Sequence, residues 1–145
     1  MQDKIERKIT INATKEQVYA AISDPTKITS WFPDSIEGKL DEGDQPILSF
    51  GEQGKTKILV VATKPHDYFA YRWVPGANHY VGDVRDTKTT LVEFKITENN
   101  GVSTLTMTES GFSKLPAEMA KTSFKQNTDG WGFMLGRLEK NFTEK

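Results

Sequence analysis

Two residues of opposite charge, Arg7 and Glu109, are candidates for chemistry because each shares a strand face with apolar residues. Arg7 alternates with isoleucines in "KIERKITI", and Glu109 alternates with Leu105 and Met107 in "LTMTES". Side chains two apart point to the same face of a strand. If Ile9 lies opposite Met107 in an antiparallel pair, Arg7 falls opposite Glu109. The pattern therefore predicts an inward ion pair that either orients the polar end of a ligand or forms a structural salt bridge at the strand ends.

Aromatic residues form a second candidate set. Phe69, Tyr71 and Trp73 alternate on one strand face, and Val92, Phe94 and Ile96 do so on the next strand. An apolar cavity with few polar groups is typical of small-molecule sites, although such residues can equally fill a core. The predicted cavity-lining residues are Trp31, Phe32, Phe50, Tyr71, Trp73, Phe94, Met107, Phe112 and Trp131.

Asn127 is a polar residue on the apolar stripe of the last predicted helix. A buried amide needs hydrogen-bond partners. We therefore expect Asn127 either to bond a strand side chain or to face the cavity. His79, in a turn-rich segment, could reach the mouth of that cavity.

The residue patterns needed for metal binding, serine hydrolysis or phosphate binding are absent from the sequence. The sequence has no cysteine, and His66 and His79 lie in different predicted loops without metal-binding spacing. Ser110 and Ser113 have no His/Asp arrangement beside them, and "GEQGK" lacks the spacing and following helix of a phosphate loop. We expect no metal and no cofactor. Proton transfer by Glu109 in an enzyme stays open as an alternative.

The elements that would position these residues follow a definite order. "KIERKITI" predicts a strand, and "NATKEQVYAAISD" predicts a helix capped at Asn12 or Thr14, followed by a second short helix that ends before Pro33. Turn signals then separate six predicted strands, at roughly 36–41, 46–51, 56–63, 67–74, 88–97 and 102–109, with a rim loop in "VPGANHYVGDVRDT". A helical period runs from Leu115-Pro116 to the end. The order predicts an α+β helix-grip fold, in which a curved seven-stranded antiparallel sheet and two short helices wrap around a long C-terminal helix.

Three glycines interrupt that last helix in "NTDGWGFMLGRLEKNF", although each lowers helix stability by about 1 kcal/mol relative to alanine. A residue without a Cβ lets two backbones approach closely or lets a helix bend. We expect Gly130, Gly132 and Gly136 to fit the helix against the sheet.

Composition limits the function. The 145 residues carry a formal net charge of −1, so no overall field draws the protein to nucleic acid or anionic lipid. Charges in "MQDKIERKITI" stand where a secretory signal needs an apolar run, and no segment reaches the ~18 apolar residues of a membrane span. We expect one domain over residues 1–145, in a cytoplasmic protein that does not insert into membranes.

The sequence resembles the START-like, or SRPBCC, superfamily, and within it the group named for the C-terminal domain of activators of the heat-shock-protein-90 ATPase. The resemblance rests on "TKEQVYAAISDPTKITSWF", "YFAYRW", "TTLVEFKI", "STLTMTESGF" and "NTDGWGFMLGRLEKNF", which cover nearly the whole chain in order. It implies a cavity between sheet and helix for hydrophobic or amphipathic molecules. It does not imply a reaction, because members include lipid carriers, hormone receptors, cyclases and chaperone activators.

Three hypotheses follow. The leading one is non-enzymatic binding of a small hydrophobic or amphipathic ligand, in a stress-response or chaperone context, with Arg7, Glu109 and Asn127 orienting its polar end. The second is a cyclase, dehydratase or hydrolase that uses Glu109. The third is a protein that contacts a chaperone through its outer surface.

Overall fold

The computed structural model describes residues 3–76 and 79–143. Ala77 and Asn78 of the predicted rim loop lie outside the described residues. The helices are α1 (Lys15–Ser23), α2 (Pro25–Ile28) and α3 (Ala117–Asn141). The strands are β1 (Lys4–Ile11), β2 (Ser35–Glu37), β3 (Ile47–Ser49), β4 (Lys55–Lys57), β5 (Leu59–Lys64), β6 (Tyr68–Trp73), β7 (Thr90–Asn99) and β8 (Val102–Ser110).

The five longer strands form one antiparallel sheet in the order β1-β8-β7-β6-β5. Its inner face carries the alternating residues that the sequence predicts, and Phe69, Tyr71, Phe94, Met107 and Glu109 are all buried there. Both α1 and α3 pack against strands of this sheet. The helix-grip fold class predicted from the order of elements is thus confirmed.

The predicted pairing of β1 with β8 is correct, but its register is wrong by two residues. Arg7 lies opposite Met107, and Ile5 lies opposite Glu109. A slip of one residue would turn every side chain to the other face, whereas a slip of two keeps all inward residues inward. The hydrophobic pattern therefore fixes the face of Arg7 and Glu109 but cannot place them opposite each other.

The strand arrangement also differs from a single sheet of seven strands. The described residues hold eight strands, and β2, β3 and β4 form a separate sheet in that order. The predicted strand 56–63 divides at the fully buried Ile58, whose N–H donates to the Pro46 carbonyl at 3.1 Å, while Lys57 N–H donates to the Tyr80 carbonyl at 2.8 Å. The bond from Ile58 to Pro46 continues the register of Ile47 with Lys57, whereas Leu59 pairs with Arg72, so one apolar run supplies a strand to each sheet.

The segment 42–44 lies along the outer edge of β5. Gly43 N–H donates to the Val60 carbonyl at 2.8 Å, and Val60 N–H donates to the Asp44 carbonyl at 3.0 Å. Thr63 N–H donates to the Glu42 carboxylate at 2.7 Å. The ladder between β5 and β6 is also irregular between Val60 and Ala62. This edge strand therefore has backbone partners on both sides.

Local sequence explains where the first two helices begin. Thr14 caps α1 and forms a capping box with Gln17, so the second of the two predicted caps is the one used. Asp24 ends α1 and caps α2 by accepting from Thr26 N–H, with Pro25 at the first helical position. The two short helices lead the chain to Trp31, whose indole N–H donates to the Ala21 carbonyl at 2.8 Å.

The glycines of α3 do not serve a close approach to the sheet, so that half of the expectation is wrong, while a bend of the helix stays a prediction. A Cβ built on Gly130, Gly132 or Gly136 would meet no atom within 4 Å. The tight contact lies instead at Gly76, where a Cβ would come within 2.8 Å of Ser123 Oγ and 3.2 Å of Ser123 Cα. Gly76 has a φ of +74°, a conformation that glycine adopts readily. The close approach between the segment after β6 and α3 therefore depends on the missing side chain of Gly76, not on the glycines of the helix.

Candidate functional site

A pocket of about 420 Å³ opens where α3 faces the end of β6 and the segment from Phe50 to Thr56. Its mouth is formed by exposed polar residues, and its floor by buried aromatic residues. The lining residues are Phe32, Phe50, Gln53, Thr56, Trp73, Gly76, His79, Gln126, Asn127, Gly130, Trp131 and Met134.

Three aromatic rings form the floor. Phe32 stacks on Trp131 with ring centroids 5.4 Å apart and planes at 22°, and it lies 5.9 Å from Trp73. Phe50 meets Phe32 edge-on at 5.3 Å. The exposed fractions of Phe32, Trp73 and Trp131 are only 4%, 8% and 2%. The rings thus hold one another in place and offer their remaining surface to the pocket.

Glu109 lies beneath this floor and is fully buried. Its Oε1 accepts from Trp131 Nε1 at 2.8 Å and from Asn127 Nδ2 at 2.9 Å. Its Oε2 accepts from Trp73 Nε1 at 2.9 Å, from Thr90 Oγ1 at 2.5 Å and from Asn127 Nδ2 at 3.1 Å. The carboxylate therefore joins β6, β7, β8 and α3 through one side chain.

The donors around Glu109 are all neutral, and the predicted ion pair with Arg7 is absent. Within residues 3–76 and 79–143 the ion pairs are Lys15 with Asp67 and Arg85 with Asp83. Burial of a carboxylate without hydrogen bonds is very unfavourable, whereas bonds to an ionised acceptor are about twice as strong as neutral ones. The donor set thus takes the place of a counter-ion.

Arg7 binds the helix instead. Its Nη2 donates to the Thr128 carbonyl at 3.0 Å, so that the guanidinium ties β1 to the middle of α3. The register explains the change of partner, because Arg7 lies opposite Met107, two residues away from Glu109 on β8. Arg7 does not line the pocket.

Tyr71 brings a second polar group into this region. Its ring packs against Trp73 at 5.2 Å, and its hydroxyl is buried without a hydrogen-bond partner among the described residues. Burial, together with the negative charge of Glu109, raises the pKa of Tyr71 well above its usual 10.0. The phenol thus stays neutral beside the carboxylate.

The predicted site residues divide into two groups. Phe32, Phe50, Trp73, Asn127 and Trp131 line the pocket. The other candidates lie outside the lining: Arg7 is half-buried and bonds the Thr128 carbonyl, and the rest are buried, namely Trp31, Tyr71, Phe94, Met107, Glu109 and Phe112. Asn127 meets both expectations at once, because it bonds a strand side chain and also faces the pocket.

Several lining residues were missed by the sequence analysis. Gln53 and Thr56 belong to the second sheet and its turn, whose separation from the main sheet the periodicity did not reveal. Gly130 and Met134 follow Asn127 on α3 at spacings of three and seven, which is a signal that could have found them. His79 does line the mouth, as its place in the rim loop suggested.

The described part of the chain contains no group of three His, Cys, Asp or Glu residues placed to hold a metal ion. None of its helices combines the length and apolar character needed to cross a membrane.

Comparison with known sequences decides the family. Residues 12–143 match the sequence model of the family described as Activator of Hsp90 ATPase homolog 1-like protein. The chain belongs to this family. Membership in the Activator of Hsp90 ATPase homolog 1-like family confirms the resemblance drawn from the sequence segments. No curated protein matches the chain.

Solved structures agree on the fold of this family member. MLL2253 from Mesorhizobium loti has a TM-score of 0.76 at 21% identity, over 94% of each chain. The Aha1 dimer from Colwellia psychrerythraea has a TM-score of 0.76 at 18% identity, over 97% of this chain and 96% of that one. DynU16, from the dynemicin biosynthetic locus, has a TM-score of 0.77 at 22% identity and covers 99% of this chain. The present chain spans only 48% of DynU16.

Proposed function

We propose that this protein is a non-enzymatic binding domain that holds a small hydrophobic or amphipathic molecule between the sheet and α3. The observation that carries the proposal is the pocket of about 420 Å³ with a floor of stacked aromatic rings. This volume lies within the range of roughly 300–1,000 Å³ that is usual for ligand pockets. No Asp, Glu, Lys or Arg is among its described lining residues.

The affinity would come mainly from burial of apolar surface, at about 25 cal/mol per Å². Stacking against Phe32, Trp73 and Trp131 adds a preference for flat, ring-containing molecules. The polar residues at the mouth, Gln53, His79 and Gln126, would contact the outer end of an amphipathic ligand.

The first experiment is native mass spectrometry of the purified protein, followed by thermal-shift screening with fatty acids, sterols and aromatic polyketides. We expect a co-purifying molecule or a rise in the unfolding temperature with at least one class. A free protein mass with no stabilising compound in any class would refute the binding function.

Two glycines of α3 offer a matched test of where the ligand binds. Gly130 lines the pocket, whereas Gly132 is exposed and does not, and a Cβ on either meets open space. Gly130→Leu would put a side chain into the pocket and abolish ligand binding. Gly132→Leu would leave binding unchanged, although both variants remove a helix glycine. Equal binding by the two variants would contradict a ligand site beside α3.

Interaction with a chaperone is the second candidate, favoured by the description of the family. Phe133 on the outer side of α3 is 66% exposed, and the Arg137 guanidinium lies 6.0 Å from its ring centre. An exposed aromatic residue beside a cation is common at protein interfaces. If the chaperone is a partner, adding this protein should raise the ATPase rate of heat-shock protein 90. Phe133→Ser should then reduce the effect, and Gly130→Leu should leave it intact.

We also propose a role in stress response, which the family description suggests, and a cytoplasmic location, which is the expectation drawn from the sequence. The enzyme hypothesis depended on Glu109 as a proton-transfer group. Glu109 lies outside the pocket lining, and both of its oxygens accept hydrogen bonds from protein groups. No observation here favours catalysis over binding.

A further inference from the structure

The indole N–H groups of the pocket floor point away from the pocket. An indole has one N–H donor and no acceptor. Those of Trp73 and Trp131 are both directed at Glu109, at 2.9 and 2.8 Å. Thr56, also in the floor, directs its hydroxyl toward the Tyr80 carbonyl at 3.5 Å. The two indoles therefore show the pocket only their carbon faces, and Thr56 can serve there as an acceptor.

Glu109 also fixes the orientation of the Asn127 amide. Asn127 Nδ2 lies 2.9 and 3.1 Å from the two carboxylate oxygens. The opposite orientation would place the amide oxygen against the carboxylate oxygens, where two acceptors repel each other. The Nδ2 group must therefore face Glu109, and Oδ1 must point away from it.

The amide oxygen is the polar atom left for a ligand. Asn127 is half-buried and lines the pocket, and no donor of the described residues reaches its Oδ1. The exposed residues at the mouth can offer hydrogen-bond donors or acceptors, whereas Asn127 offers an acceptor. A ligand group that reaches Asn127 Oδ1 gains a hydrogen bond only if it carries a donor.

We infer that the pocket selects ligands without negative charge whose inner end carries a hydroxyl or N–H donor for Asn127 Oδ1, and that Glu109 is the positioning residue that sets this polarity. The inference rests on the proposed binding function and deepens it. An anionic ligand would have to shed its water with no cation among the described lining residues and with the Glu109 carboxylate beneath the floor.

Three probes of one ring system test the selection: 2-naphthol, its methyl ether 2-methoxynaphthalene, and 2-naphthoate. Affinities are measured by isothermal titration calorimetry at neutral pH, where the naphthol is uncharged and the naphthoate ionised. Because one hydrogen bond separates the first two probes, we expect 2-naphthol to bind about tenfold more tightly than the ether. We expect 2-naphthoate to bind more weakly than either.

Variants separate positioning from a merely structural role. In Glu109→Gln one of the two oxygens that face Asn127 becomes an N–H₂ donor. Asn127 is then no longer held with its N–H₂ inward and can turn its oxygen toward the new donor and its N–H₂ toward the pocket. The preference for 2-naphthol over the ether should then disappear or reverse. A purely structural loss would weaken both probes by the same factor and leave their ratio unchanged.

Asn127→Leu keeps the test valid if Glu109→Gln fails to fold. It removes the acceptor and should bring the ratio of the two affinities to about one. Asn141→Leu is the matched control, since Asn141 lies on the same helix, bonds Ser30 and does not line this pocket. Its ratio should equal that of the wild type.

The outcomes distinguish the inference from the function on which it rests. Equal binding of 2-naphthol and its ether by the wild type, or tighter binding of 2-naphthoate, overturns the inference and leaves ligand binding in place. Failure of all three probes, together with failure of the thermal-shift screen, overturns both. An unchanged ratio in folded Glu109→Gln removes the positioning role of Glu109.

Discussion

Glu109 and Asp83 are both carboxylates that accept several hydrogen bonds, but their surroundings are opposite. Glu109 is fully buried and receives neutral donors from β6, β7 and α3. Asp83 lies at the surface and receives Arg85, two residues away, and Gln45. The comparison shows that the surface carboxylate has the cation, while the interior one is held by uncharged groups.

The difference lies in what each carboxylate joins. The bonds of Asp83 to Arg85 are local in sequence, and water can replace them, so surface pairs of this kind contribute little to stability. The bonds of Glu109 span 18 to 36 residues and end on two buried indoles, the buried Thr90 hydroxyl and the half-buried Asn127 amide. Four variants, ordered by expected effect, test this contrast.

Glu109→Ala should have the largest effect. It leaves two indole N–H groups, the Thr90 hydroxyl and the Asn127 amide without their acceptor in the interior. We expect the free energy of unfolding to fall by about 3–5 kcal/mol, because each buried donor left without a partner costs about 1–3 kcal/mol. Denaturant unfolding measures it. A loss below about 1 kcal/mol would show that the cluster does not stabilise the fold.

Trp131→Phe should come next, and Trp31→Phe is its matched control. Both indoles are buried and donate one bond of 2.8 Å, to Glu109 in the first case and to the neutral Ala21 carbonyl in the second. Bonds to charged groups contribute roughly 1.5–3 kcal/mol and neutral ones roughly 0.5–1.5 kcal/mol. Trp131→Phe should therefore lose about 1 kcal/mol more than Trp31→Phe. Equal losses would mean that Glu109 carries no charge of consequence.

Tyr71→Phe should have a small effect at neutral pH, because the hydroxyl that it removes has no described partner. At high pH the variant should become more stable relative to the wild type. Burial and the Glu109 charge raise the pKa of Tyr71 above 10.0, so the unfolded chain ionises this group first and the native state loses stability as pH rises above about 10. Unfolding measured at about pH 9 and pH 11 should show the variant retaining stability that the wild type loses. The same loss of stability in the variant and the wild type would contradict the raised pKa of Tyr71.

Asp83→Asn should have the smallest effect of the four. The bonds from Arg85 and Gln45 hold the pKa of Asp83 well below its ordinary 3.8. Its contribution is therefore present above pH 3.8 and is lost as pH falls further. At neutral pH the variant should unfold close to the wild type, and added salt should reduce even that difference. If Asp83→Asn lost more free energy of unfolding than Trp131→Phe, the surface carboxylate would matter more than the Glu109 cluster, contrary to the expectation.

Sequence reasoning succeeded where the spacing of apolar residues alone decides which face of a strand or helix a residue lies on. Alternation placed Glu109 inside, and a polar residue on an apolar helix stripe identified Asn127 as a partner or a pocket residue. It failed where two arrangements keep the same face. The register of β1 could slip by two residues at no cost to the pattern, which created the false pair between Arg7 and Glu109.

Other failures have different physical causes. A helix glycine can reflect tight packing or open space, and the sequence is the same in both cases; Gly130 and Gly132 proved to lie in the open. The division of the run 56–63 depends on which strand each half pairs with, β3 for Thr56 and Lys57 and β6 from Leu59 onward, and no local pattern contains that choice. The pocket residues Gln53 and Thr56 were missed for that reason.

The segment 42–44 along β5 has a consequence for the behaviour of the protein in concentrated solution. An exposed edge strand presents unpaired N–H and C=O groups that can template pairing with another chain. Here the N–H and the carbonyl of Val60 are already bonded to Asp44 and Gly43, and the irregular ladder at Val60 and Ala62 bends the strand away from a flat edge. A neighbouring molecule would have to displace this segment before it could add a strand, so this side of the sheet resists aggregation.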